Sequence, residues 1–173
     1  NGFKKKSPED QKRVAKALED LGMSMGVFVA HGSIGQTTFS VKDEAVWETV
    51  LQDIRDSVEV AKICGAKWMT VVPGHADPRL HLDFQTANVV ETLKQAAAIL
   101  EPHGLVMVLE PLNTLRNHPG MYLTTSPQAH LVCKAVASPS CKILDDLYHQ
   151  QITEGNLIPN IDRSWDEIAY FQM

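Results

Sequence analysis

Five apolar runs in this chain carry, at their C-terminal ends, side chains able to hold a cation or move a proton. "VFVAHG" brings His31, "TVVPGH" His75, "VMVLEPLN" Glu110 and Asn113, "KILDDLYH" Asp146 and His149, and "IAYFQ" Gln172. Glu110 carries the most weight. It follows "LVMVL", a run with no other polar side chain, and an ionised glutamate in such surroundings needs a cation or strong donors. Carboxylates of this kind concentrate in active sites. His31 or His75 alone would be a hydrogen-bonded loop histidine, and Gln172 alone would be structural. Taken together, two carboxylates, an amide oxygen and nearby histidines suit one divalent cation. Mg²⁺, Mn²⁺, Co²⁺ and Zn²⁺ are all compatible, though not as a closed structural zinc site, which wants cysteine or histidine ligands. A cation beside a glutamate base polarises a carbonyl and stabilises an enediolate.

"KILDDLYH" poses a separate problem, because Asp145 and Asp146 are adjacent. Side chains alternate faces along a strand, so the two cannot both point at one site. With the strand running to about Tyr148 and His149 turning back over its end, Asp146 takes the site. Asp145 then faces the opposite layer, where it is expected to reach water or a basic side chain.

The elements that would position these residues alternate regularly. "SPEDQKRVAKALEDLG" starts a helix with Ser7 as N-cap and Pro8 at its first position, and Gly22 closes it. A strand over 24–32 leads through the loop "SIGQTTFSV" to a helix over 42–64, stopped by Gly65. A strand over 66–75, a helix over 83–104 and a strand over 105–113 follow. "TSPQAHLVCKAVAS" repeats the Ser-Pro helix start at Ser126 and Pro127. The last two strands are joined by a short polar connection. Alternating βα units predict an α/β fold with a parallel sheet. No glycine-rich phosphate loop follows any strand. In a (β/α)8 TIM barrel the C-terminal strand ends converge on one site, and the polar residues here fall at those ends.

The chain of 173 residues is read as one domain over 1–173. A net charge of −5 gives no basic footprint, so nucleic acid is not expected as a partner. No apolar run approaches the ~20 residues of a membrane span. Three widely spaced cysteines form no CxxC and read as reduced thiols. The chain opens without methionine and stops on an apolar strand. Residues are therefore expected to be missing at both ends, and location is read as cytoplasmic only by default. The oligomeric state, a homo-oligomer included, stays open.

"VLEPLN", "HPGMYL", "DLYHQQITEGNLI" and "IAYFQ" together resemble the sugar isomerase/epimerase family of xylose isomerase-like TIM barrels, and within it the hydroxypyruvate isomerase-like branch. The resemblance runs over nearly the whole chain. It implies a (β/α)8 barrel of which about five strands, the third to the seventh, are present. It implies one divalent metal, with Glu110 as ligand and proton carrier, Asp146 as ligand and Gln172 as the third ligand. His149 would contact substrate oxygens; Asn113, His75 and His31 are expected near the substrate from their positions at the strand ends. The fourth ligand, a glutamate that is also the second catalytic one, matches no residue here. The implied activity is isomerisation or epimerisation of a small keto-sugar or hydroxy-keto acid by glutamate-mediated proton transfer. Alternatives are a lyase or dehydratase on a keto-sugar or inosose, an endonuclease IV-like nuclease, and a non-catalytic sugar-binding barrel. The nuclease would want more histidines and a basic face.

Overall fold

The computed structural model describes residues 2–32, 34–36 and 38–173. Five strands and six helices alternate along it: α1 (Pro8–Asp20), β1 (Val27–Val29), α2 (Glu44–Cys64), β2 (Trp68–Val71), α3 (Leu82–Leu100), β3 (Val106–Leu109), α4 (Ser126–Val136), β4 (Cys141–Asp146), α5 (Leu147–Thr153), α6 (Leu157–Ser164) and β5 (Ile168–Gln172). The strands form one sheet in chain order, every pair parallel. Each α crossover returns the chain to the same end of the sheet, so all strand C-termini share one rim. The result is a half-barrel: β1 and β5 each pair on one side only among the described residues. No described helix is long and apolar enough to cross a membrane.

Period-two alternation divides the strands into two faces. Phe28, Met69, Met107, Cys141 and Ile143 lie on the helix side and join Ile54, Leu93 and Val132 of α2, α3 and α4 in one buried cluster. Thr70 and Val108, paired in register, lie on the other face. Glu110 continues that inner row one step beyond the end of β3.

Helix ends follow local chemistry. The Ser7 hydroxyl accepts from the Asp10 N–H, and Gly65, at φ +65°, closes α2. Several expected boundaries move. The cap of α4 is Thr125, whose side chain accepts from the Gln128 N–H, while Ser126 donates its hydroxyl to Glu154 Oε1. More consequentially, β4 stops at Asp146 instead of reaching Tyr148. The Asp146 carboxylate accepts from the Tyr148 N–H at 2.9 Å and starts α5 at once. The polar connection expected before the last strand contains α6. Of the loop "SIGQTTFSV", Ser33 and Thr37 lie outside the described residues.

Candidate active site

Glu110, Asp146 and His149 meet at the rim. One ligand atom from each lies within 4.8 Å of the others. His149 Nε2 is 3.8 Å from both Glu110 Oε1 and Asp146 Oδ2. The three side chains are only 10–15% exposed. Their meeting has a local cause. Asp146 ends the strand and caps α5, so His149 stands three residues on, in the first turn of that helix and over the strand end. The sequence spacing Asp-x-x-His is thus a helical one.

Gln172 joins this row through a register shift. β4 and β5 pair Ile143 with Ile168 but Leu144 with Tyr170, so Ala169 is passed over. The irregularity brings Gln172 opposite Asp146 and puts both on the inner face, at the spacing of neighbouring strands. Without it, Asp146 would stand beside Phe171.

Burial and the nearby Asp146 charge push the Glu110 carboxyl up to about 7. Among the described residues no lysine or arginine pairs with these two carboxylates, and His149 is their only basic neighbour within ion-pair reach. Arg116, the nearest arginine in sequence, is exposed and makes no ion pair among the described residues. An oxygen-rich acidic donor set of this kind fits a hard divalent cation. Glu110, Asp146 and His149 each present an atom that could hold it, and Gln172 stands opposite Asp146 in register. His149 is held below the usual histidine range, chiefly by burial, with Asp146 opposing and His118 reinforcing.

Asn113, His75 and His31 are placed differently. Asn113 is fully buried, and its side-chain Oδ1 accepts from the backbone N–H groups of Arg116 (3.0 Å) and Asn117 (3.3 Å). Its Nδ2 donates to Asn117 Oδ1 and lies 2.6 Å from His149 Nδ1. His75 sits in an antiparallel bridge to Met121 with its ring against Gly120. His31 is 2% exposed; its Nε2 accepts from the Val72 N–H, its ring packs on Phe39, and burial drives its pKa down to about 4. Neither His31 nor His75 belongs to the Glu110 group.

Sequence reasoning passed over Tyr148 and Asn117. The Tyr148 ring stands edge-on to His149 at 5.3 Å, and its hydroxyl donates to Asn117 Oδ1. His118, in the same connection, lies 5.4 Å from His149, ring to ring. The available signal was length: a 16-residue connection between β3 and α4 is long enough to fold over the rim.

Asp145 corrects one expectation. The register places it on the helix side, opposite Asp146, as alternation requires. Yet it is 3% exposed and its Oδ1 is buried without a hydrogen-bond partner. Among the described residues no basic side chain pairs with it. Burial first, then the charges of Glu154 and Asp146, raise its pKa to about 6.

The family model for the xylose isomerase-like TIM barrel matches residues 2–173. The chain belongs to the xylose isomerase-like TIM barrel family. Among relatives of this barrel, a Xenopus laevis protein provisionally named hydroxypyruvate isomerase is 39% identical over 124 residues, 69% of this chain and 45% of that protein. The chain thus spans about half the length of the curated relatives it matches. Two solved structures share the fold. An AP endonuclease, family 2, from Brucella melitensis has a TM-score of 0.80 at 22% identity, covering 95% of this chain and 65% of that one. The IolI protein with a bound zinc atom has a TM-score of 0.77 at 18% identity, covering 93% and 55%. At such identities the likeness is one of fold.

Proposed function

We propose that this barrel is a divalent-metal-dependent isomerase or epimerase acting on a small keto-sugar or hydroxy-keto acid. One observation carries the reading: Glu110 and Asp146 converge with His149 at the rim. A carboxylate placed beside the substrate takes a proton from a carbon next to a carbonyl and can give it back. The isomerase name of the Xenopus laevis relative points the same way.

A divalent cation held by Glu110, Asp146 and Gln172 would supply Lewis-acid stabilisation of negative charge developing on the substrate's oxygens. The protein's own groups do the rest. Glu110 accepts the carbon-bound proton and becomes the neutral acid. The proton then returns either to the neighbouring carbon, while the hydroxyl proton passes to the former carbonyl oxygen, which isomerises the substrate, or to the opposite face of the same carbon, which epimerises it. His149 faces the substrate's oxygens from α5. Burial of the three side chains keeps water from competing for the proton. Glu110 serves one side of the reaction; among the described residues no second glutamate joins its group. Return to the opposite face therefore needs a further acid.

A protein of the same fold, IolI, has been solved with a bound zinc atom, which is in keeping with a cation in this barrel. The net charge of −5 gives no support to nucleic acid as substrate. The test is solvent exchange. Hydroxypyruvate and a panel of ketoses are incubated in D₂O with the protein and Mg²⁺, Mn²⁺, Co²⁺ or Zn²⁺. Deuterium is expected at the carbon beside the carbonyl, with loss of exchange on chelation. No exchange into any substrate with any of the four ions would refute the proposal.

A further inference from the structure

The hydrogen bonds around His149 bear on which groups can hold a cation. Asn113 Oδ1 is fixed as the oxygen, because it accepts from two backbone N–H groups, those of Arg116 and Asn117. The other side-chain atom is therefore the amide nitrogen. It lies 2.6 Å from His149 Nδ1 and 3.0 Å from Asn117 Oδ1. The backbone N–H of Asn113 points at the same ring nitrogen, at 3.4 Å. His149 Nδ1 thus faces two N–H donors and must accept. Asn117 Oδ1 is held in turn by the Tyr148 hydroxyl, 3.0 Å away. A neutral imidazole with an accepting Nδ1 carries its proton on Nε2. That is the nitrogen 3.8 Å from both Glu110 Oε1 and Asp146 Oδ2.

We infer that Asn113 is a positioning residue that locks His149 as its Nε2–H tautomer, making the ring a hydrogen-bond donor to the reacting oxygens and keeping it out of the metal's ligand set. By distance alone His149 is a third ligand. A nitrogen that already bears a proton has no lone pair to offer a cation. The cation is left with oxygen ligands, and the N–H is left to hold a substrate oxygen where negative charge develops. Asn113, with no exposed surface, acts through His149 and not on the substrate. The assignment of roles rests on the proposed function; the tautomer does not.

The experiment is ¹⁵N NMR of the imidazole rings in the protein, with and without Mg²⁺, in wild type and Asn113→Asp. In wild type the His149 pattern should show a bare Nδ1 and a protonated Nε2. In Asn113→Asp one carboxylate oxygen keeps the two backbone N–H groups and the other faces Nδ1 as an acceptor. The proton should move to Nδ1, and Zn²⁺ affinity should rise on the order of 10-fold, the scale on which groups behind a ligand act. A protonated Nδ1 in wild type overturns the inference, even if the variant fails to fold. A flipped tautomer with unchanged Zn²⁺ affinity overturns the exclusion from the ligand set. The expected tautomers in a protein inert in the D₂O assay would support the inference while refuting the proposed function.

Discussion

Asp145→Asn should make the protein more stable at neutral pH and not at acid pH. Asp145 Oδ1 is buried without a partner, and the charges near it are those of Glu154 and Asp146. Its pKa rises from 3.8 to about 6. The folded state then holds a proton that the unfolded state has released between those values. Stability falls as pH rises across that window and stays lower above it. A shift of roughly 2 units is worth at most about 3 kcal/mol. Asparagine is neutral at every pH, so it brings no charge to the buried site beside Glu154 and Asp146. Urea unfolding with chelator present should show the variant within about 0.5 kcal/mol of wild type near pH 4. Near pH 8 it should lie about 1–3 kcal/mol above wild type, a Tm rise of about 2–10 °C for a chain of this size. Curves that stay parallel across the window, or a variant weaker near pH 8, would show that Asp145 has a partner in solution.

Three further outcomes are expected. Glu110→Gln should lower turnover on the order of 10²–10⁴-fold while the far-UV spectrum stays unchanged; a rate near wild type in the cation-loaded variant would remove Glu110 from the chemistry. Cation affinity, measured by titration calorimetry, should strengthen as pH rises towards about 7 and then level off, because binding must displace the proton that burial and Asp146 keep on Glu110; a flat profile between about pH 5 and about pH 8 would contradict this. Gly74→Ala should destabilise by several kcal/mol in thermal unfolding, since φ is +84° and a Cβ would sit 2.2 Å from Gln36 O; an unchanged Tm would show that the segment relaxes freely.

The parallel α/β architecture was legible because its signals are local and repeated: Ser-Pro starts, glycine stops and apolar strands of similar length. Glu110 stood out because a carboxylate ending an apolar run has few structural excuses. His149 comes to stand beside Asp146 by a route other than the expected strand end. "LYHQQIT" carries the β-favouring Tyr148 and Ile152, and nothing local shows that the strand has ended. What ends it is the Asp146 carboxylate turning to the Tyr148 N–H, a hydrogen bond between neighbours that composition does not display. The alignment of Gln172 with Asp146 depends on a one-residue slip between two strands, which only their pairing reveals. His31 and His75 looked alike in sequence, each after a strand, and separate only when their packing partners, Val72 with Phe39 and Gly120, are seen. The unpartnered Asp145 could not be foreseen, because the groups surrounding it come from α5 and the strand end together.

Asp146 divides its two oxygens between neighbours. Oδ1 takes the Tyr148 N–H in the first turn of α5, and Oδ2 faces the Glu110–His149 side. So long as the helix keeps its start, the N–H on Oδ1 favours Oδ2 as the single atom this carboxylate would offer a cation. A monodentate ligand fills one coordination position where a bidentate one would fill two. Under the proposed function, the vacated position is what a substrate presenting two adjacent oxygens requires. A helix cap, ordinarily a matter of stability, would here govern how much of the ion remains open to the substrate.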